Sequence, residues 1–537
     1  MANKQLFKST RKSNVPAHNT RNQAGGKAYR FEDAHILCQY AVTNTFGGTY
    51  YASARNQLDT LKSVIENVEP KIIAKAAVYS RQHGNMKDMP AYLLAVLAAR
   101  GEVELLKQVW DQVINNPKML YNFIQIIRSG VTGRRSFGTA VRRLIRNWFT
   151  SRTGDQIYRA SIGASNPSMA DVIKMIHPTP DSTEKSALYA YLLGAKLEEG
   201  DVLNRYSHDG DIQQQYHLTD CPQLVQDVEW FKYSNTNTLP ALDYRALTNY
   251  NLTPAHWKQI ARNMPWNALR MNLNVLQRNG VFEDAQLTRE LAAKLGDADE
   301  VRKWNAFPYQ LLTTYKNVGG VPSPIKNALQ AAMEIATVNI PALTDGVAVC
   351  IDLSGSMGSA VTGYGGKPTE TTCYDVAALI AASIARVNKD TEVIAWASTC
   401  KRVRFNAYDS IMSNAKLFRN QHVGYGTNAS LAMELLNREN WQGKTIIYVS
   451  DNQSWISNNS WGGTGLAHEW ESYSRRVPNA KLICIDIQAN ESTQAPERKN
   501  TLNVGGFSDA VFDIVGNFVH GDYDNFVDVV QSVRLGE

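Results

Sequence analysis

The sequence predicts a multidomain protein, an all-α stack of paired helices followed by an α/β doubly wound domain. Three observations carry this reading. The 537 residues exceed what one core usually holds, and a 44% apolar content is enough for more than one. From about residue 30 to 340 apolar residues recur at helical spacing. Beyond 340, short β-rich apolar runs alternate with helical segments.

Composition excludes several classes. The chain is too apolar for a disordered or collagen-like protein. Its longest apolar run, Ala91 to Ala99, is too short to span a bilayer. The N-terminus shows no apolar block with a cleavage site, which argues against secretion. Cys38, Cys221, Cys350, Cys373, Cys400 and Cys484 are scattered singly, against a disulfide framework or zinc finger and in keeping with a reducing compartment. These readings predict a cytoplasmic protein with no membrane association.

Charge is uneven. Residues 1–180 carry 25 Lys and Arg against 11 Asp and Glu, a net +14, while 181–340 carry −3 and 341–537 carry −5. A basic first third suggests an anionic partner, nucleic acid foremost; a merely solvated surface has equal weight on charge alone. Residues 1–30 hold seven basic residues and no acid, without amphipathic periodicity. A basic flexible arm is expected there.

In the helical region, Leu105, Leu106, Val109, Trp110, Val113 and Ile114 follow helical spacing, as do Ile72, Ile73, Ala76 and Ala77. Breaks fall at Glu69-Pro70, Gly84-Asn85, Gly101, Asn116-Pro117, Gly130 and Gly133. Short helices with tight turns fit an α-solenoid. Advancing about 100° per residue from Arg142 puts Val141, Leu144, Ile145, Trp148 and Phe149 on one face and Arg142, Arg143 and Arg146 on the other. Upstream, Arg128, Arg134 and Arg135 flank a Gly-rich connection, making six Arg in 19 residues with no acid. Arg forks suit phosphate oxygens, so an anion site is favoured over a solvated face.

In the α/β region, Val347–Ile351, Val393–Trp396, Thr445–Val449 and Leu482–Ile485 predict strands of a mostly parallel sheet, with helices such as Tyr374–Val387 and Ala429–Leu436 between them. Such sheets bind ligands beyond their carboxyl ends. There lie Asp352, Ser354 and Ser356 in D-x-S-x-S, Thr427 in a Gly-rich loop, and Asp451 after the third run. Two carboxylates and three hydroxyls are hard oxygen donors, the chemistry Mg²⁺ prefers. One coordination position would remain for an outside carboxylate or phosphate. The sequence has no Ser-His-Asp elbow, H-E-x-x-H or Walker A loop, and no catalytic activity is predicted.

Four further segments bring a family into view: Gly47-Gly48-Thr49-Tyr50-Tyr51, Gly133 to Trp148, Ser168 to Pro178, and Met264-Pro265-Trp266-Asn267-Ala268-Leu269 with Arg270 and Asn272. With the D-x-S-x-S, Thr and Asp set, the chain resembles the Ro60 autoantigen family, in which a TROVE module precedes a von Willebrand factor A-like domain. The resemblance implies a HEAT-like ring over 31–340 and, over 341–537, an A-like domain whose ligand set is a metal-ion-dependent adhesion site. It implies a ribonucleoprotein protein of RNA quality control. Such a protein binds Y RNA on a basic outer surface and takes single-stranded ends of misfolded RNA into the hole. Bacterial members are tethered through Y RNA to the exoribonuclease polynucleotide phosphorylase. Candidate RNA contacts are then Arg128, Arg134, Arg135, Arg142, Arg143, Arg146, Arg159, Lys174 and His177, with Arg262, Arg270 and Asn272 toward the hole. For Arg270 and Asn272, capping or stacking against a neighbouring repeat has equal weight. One departure stands out: Ala160 and Ala164 occupy places where vertebrate members are basic. The alternative reading is a metal-dependent adhesion module that binds a partner's carboxylate. Metal-assisted phosphoester hydrolysis stands third.

Overall fold

The β-branched runs after residue 340 build one sheet. The computed structural model describes residues 15–536 apart from 44–45, 164–165, 235–238, 240–243, 249, 305, 307, 338–339, 344–345, 362, 365–366, 369, 457–461 and 509. The sheet has six strands in the order Cys400–Val403, Glu392–Trp396, Val347–Asp352, Thr445–Ser450, Lys481–Asp486 and Thr501–Gly505. All neighbours pair in parallel except Cys400–Val403, which runs antiparallel at one edge. Every residue of Val347–Asp352 and Thr445–Ser450 is buried, as strands covered on both faces must be. The four strands and two helices predicted there form. The two edge strands escaped the sequence reading, because Cys400–Val403 carries Lys401 and Arg402 and Thr501–Gly505 carries Asn503.

The chain divides into two compact units. The first comprises Met1–Met86, Phe307–Lys316 and Ala336–Arg534, and so joins N-terminal helices to the sheet. Helix Asp33–Thr43 lies against the Thr501–Gly505 strand so closely that a Cβ on Gly505 would sit 2.1 Å from Gln39 Oε1. A side chain there would have to displace the end of Gln39.

Part of the expected basic arm is ordered. Residues 1–14 lie outside the described residues, but Thr20–Arg21 and Lys27–Arg30 form an antiparallel hairpin, and Lys27–Arg30 pairs onward with Ser492–Thr493. Ala28 and Tyr29 are buried, the Tyr29 hydroxyl donates to the Pro16 carbonyl (2.9 Å), and Asn22 Nδ2 donates to the Ser454 carbonyl (2.7 Å). Charge counting missed this because the anchors are the few uncharged residues between the basic ones.

The second unit, Lys87–Ala306 with Asn317–Ile335 and Leu535–Glu537, is mainly helical. In helix Val103–Val113, Leu106, Val109, Trp110 and Val113 are buried. Gly101 ends helix Asp88–Arg100 and Gly130 ends helix Pro117–Ser129 in the left-handed conformation, and Pro117 opens the latter after an Asn116 cap that accepts from Met119 N–H. The helical expectation fails at 196–217. There Lys196–Glu198, Val202–Tyr206 and Ile212–His217 form an antiparallel sheet. Left-handed Gly200 and Gly210 supply its turns, and Ile212–His217 is mostly exposed, so it gave no apolar signal. Among the described residues no helix is long and apolar enough to cross a membrane. All six cysteines are free thiols.

Candidate functional site

The carboxyl edge of the sheet gathers the predicted ligand set. Asp352 ends the Val347–Asp352 strand, and Asp451 follows the adjacent Thr445–Ser450 strand. A 3₁₀ turn, Gly355–Gly358, places Ser354 and Ser356 so that their Oγ atoms stand 3.3 Å apart. The Ser354 N–H donates to Asp352 Oδ1 (2.8 Å), and the Ser450 hydroxyl to Asp352 Oδ2 (2.6 Å). Thr427 arrives on a loop docked on this turn, where Gly355 N–H donates to the Tyr425 carbonyl (3.0 Å). All five side chains are buried, both carboxylates at 0% exposure.

Burial without neutralisation has electrostatic consequences. Desolvation, then the charge of Asp451, pushes the Asp352 carboxyl well above the usual carboxylate range, despite the Ser450 and Ser354 donors. Desolvation likewise drives Asp451 up, opposed in part by the Ser356 hydroxyl. Both Asp451 oxygens are buried with no well-formed hydrogen bond among the described residues. A native carboxylate left so is costly unless something else satisfies it. No group of three or more His, Cys, Asp or Glu gathers among the described residues. The donor set, two carboxylates and three hydroxyls, fits a hard divalent cation that retains waters.

The basic residues are placed quite differently. Helix Gly138–Thr150 buries Val141, Ile145, Trp148 and Phe149, as its wheel predicts. Arg143 and Arg146 are exposed and Arg142 is half-buried, and two of the three also bond a neighbouring helix. Arg142 Nη1 donates to the Met175 carbonyl (2.9 Å), and Arg146 donates through Nε and Nη2 to Ile176 (3.2 and 3.1 Å). They cap the carboxyl end of helix Met169–Ile176, where a cation complements the dipole. Arg134 bonds the carbonyls of Ala98 (2.7 Å), Ser136 (2.7 Å) and Phe137 (3.1 Å). Arg135 lies over Gly130. Arg128, Arg143, Arg159, Lys174 and His177 are exposed, His177 as the left-handed cap of Met169–Ile176.

Toward the Met264 element, Arg262 pairs with Glu290 (3.3 Å) and Arg270 bonds Asn267 Oδ1 (2.9 Å). Asn272 donates to the Ala268 carbonyl (2.8 Å) one turn back in its own helix. Of the two departures noted, Ala160 is buried and accepts through its carbonyl from the Tyr121 hydroxyl (2.8 Å), whereas Ala164 lies outside the described residues.

Residues 347–519 match the family model described as the Ro60 vWA domain. Over those residues the chain is similar to the Ro60 family. It is similar to a Deinococcus radiodurans protein named RNA-binding protein RO60, at 23% identity over 94% of this chain and 95% of that one. A Caenorhabditis elegans protein of the same name is 20% identical over 93% of this chain and 90% of that one. The crystal structure of the Deinococcus radiodurans RO (RSR) protein superposes with a TM-score of 0.62 at 19% identity, covering 91% of this chain and all of that one. The fold of the chain is therefore shared with that protein along most of its length.

Sequence reasoning missed two neighbours of the ligand set. Ser450, one residue before Asp451, holds Asp352, and the Tyr374 hydroxyl donates to the Ser354 carbonyl (2.6 Å). Ser450 could have been found, since a hydroxyl on the adjacent parallel strand must stand beside Asp352. Tyr374 carries no signal before the helix Cys373–Val387 is docked.

Proposed function

We propose that the chain is a non-catalytic RNA-binding protein of a ribonucleoprotein acting in RNA quality control. On this reading it binds small noncoding Y RNA through exposed cations of the second unit and engages single-stranded RNA ends. Its A-like domain holds Mg²⁺ through Asp352, Ser354, Ser356, Thr427 and Asp451. One observation carries the reading: similarity over 94% of the chain to a protein named for RNA binding. The exposed Arg128, Arg143 and Lys174 supply the cations that phosphates require, and the exposed His177 lies in the same unit. A duplex is held through phosphates and 2′-hydroxyls, and a single strand by stacking and backbone contacts, so one protein can serve both. Mg²⁺ at the sheet edge would supply a fixed positive charge for an outside acidic group. A cytoplasmic setting and an exoribonuclease tethered through RNA belong to the same proposal.

The test is direct. Protein purified at low salt should carry RNA, visible as a raised ratio of absorbance at 260 to 280 nm. Structured RNA with a single-stranded 3′ tail should bind with an affinity that falls steeply with salt. The same RNA circularised should bind more weakly if ends are engaged. RNA-free protein that ignores both forms at low salt would remove the proposal.

A further inference from the structure

Two aromatic side chains at the carboxyl edge of the sheet are exposed and have no part in the function proposed above: Tyr425, 84% exposed, and Trp455, 51% exposed. Each belongs to a segment that carries a candidate ligand residue. Tyr425 lies two residues before Thr427, and Trp455 four residues after Asp451. Backbone bonds tie these segments together. Trp455 N–H donates to the Thr427 carbonyl (3.2 Å), as does Ile456 N–H (3.1 Å). Gly355 N–H, between the two donor serines, donates to the Tyr425 carbonyl (3.0 Å).

The glycines on either side of Tyr425 explain its exposure. Gly424 takes φ +89°, and a Cβ there would meet Ser398 Cβ and Oγ at 2.8 Å. A Cβ on Gly426 would stand 2.9 Å from both Ser398 Oγ and Ile456 Cδ1, and Gly426 N–H donates to Ser398 Oγ (2.7 Å). The loop therefore lies flush on the segment after strand Glu392–Trp396, with no room beneath it for a ring. Trp455 Cζ2 lies 3.6 Å from that same Gly426 Cβ position, which makes Tyr425 and Trp455 neighbours. A single exposed ring is ordinary, but two held side by side on fixed loops are prepared to stack, since little freedom is left to lose.

Trp455 also borders a groove that Lys27, Asn428, Ser430 and Gln494 line. Lys27 belongs to the N-terminal hairpin, and Gln494 Nε2 donates to its carbonyl (3.2 Å). An indole face, an ammonium and two amides match the parts of an unpaired nucleotide: the base, its phosphate and its hydrogen-bonding edge. An acidic peptide would use the charge but gives two aromatic faces little to stack on, whereas every base has a π-face.

We infer that Tyr425 and Trp455 form a stacking platform for unpaired bases of single-stranded RNA, with Lys27 holding a backbone phosphate beside it. The inference rests on the RNA-binding reading above and adds these three residues to it. It does not need the cation, although one at the ligand set would add positive charge at the same edge.

A hairpin RNA whose single-stranded 3′ tail carries 2-aminopurine tests this on the full-length protein, because that base loses fluorescence when it stacks. Tyr425→Ala and Trp455→Ala should each weaken binding of the tailed RNA about ten-fold, the scale of one stacked base, and relieve the quenching. Tyr425→Phe and Trp455→Phe keep a ring and should stay within about two-fold. The salt slope should hold in all four and fall by about 0.7 in Lys27→Ala. The same hairpin with a blunt end should bind every variant alike. A double Ala variant that melts normally and keeps both affinity and quenching would overturn the platform and leave the proposed function standing. So would a poly-glutamate peptide that the double change releases while the tailed RNA stays bound, since the rings would then serve a protein partner. Unaltered protein that binds neither RNA would remove the proposed function and this inference with it.

Discussion

The sheet edge and the Gly138–Thr150 helix each gather polar side chains, and they are opposites. At the sheet edge, carboxylates sit at 0% exposure with the Asp451 oxygens unsatisfied. On the helix, Arg142 and Arg146 reach the carbonyls that end a neighbouring helix. Buried groups without partners are costly and persist where a ligand repairs the deficit. Surface cations cost little and find local tasks. The difference teaches that burial without satisfaction marks a site more sharply than charge density does.

The largest expected effect breaks the comparison at its strongest point. Asp352→Ala should reduce Mn²⁺ or Mg²⁺ affinity by at least about a hundred-fold in calorimetry, since hard-cation sites lean on carboxylates. RNA binding should survive. Retained metal uptake would put the sheet edge in the same class as the arginine helix. In metal-free buffer, Asp451→Asn should melt no lower than the unaltered protein, because an uncharged amide is cheaper to bury than a lone carboxylate.

Asp375 lies between the two extremes, buried but fully paired. It meets Lys316 (2.6 Å) and Arg419 (2.8 Å) and caps its own helix through Thr372. Burial pushes its carboxyl up, yet Lys316 and the Thr372 donors outweigh burial and hold it below the ordinary value. A depressed folded pKa means stability that is present above the unfolded pKa and is lost as pH falls through the folded one. Asp375→Asn should therefore cost about 2–3 kcal/mol at neutral pH, with the gap closing in acid, as thermal melts would show. A constant gap across pH would locate the effect in packing instead.

The helix is sharpened by smaller changes. Replacing Arg142 and Arg146 together with Ala should cost about 1–2 kcal/mol by removing the bonds that finish helix Met169–Ile176. Reversing them to Glu should cost more, since an acid then meets the negative end of the dipole. Arg143→Ala, at an exposed position, should stay within about 0.5 kcal/mol in the same melts. Should Arg143 hold RNA, Arg143→Ala should reduce the salt slope of binding by about one. An unchanged slope would leave the helix with a purely structural part.

Much of this was legible in advance. The parallel strands follow from continuous runs of Val, Ile and Ala, because a strand covered on both faces must be apolar at every residue. That the five candidate ligand residues gather follows from topology, because parallel strands deliver their carboxyl ends to one edge. The arginine helix was legible only in its buried stripe: periodicity separates faces but does not say which neighbour a polar face meets. That neighbour, the end of Met169–Ile176, lies 33 residues from Arg142 at its Met175 contact.

The amino-acid order by itself therefore determined most of the helices, the four central strands and the two buried faces of the sheet, since these depend on local periods of two and 3.6 residues. Only the tertiary structure decided that neither Asp451 oxygen makes a well-formed hydrogen bond among the described residues and that Arg134, Arg142 and Arg146 serve carbonyls. A side chain's partner is set by which distant backbone packs against it. No local pattern encodes that distance.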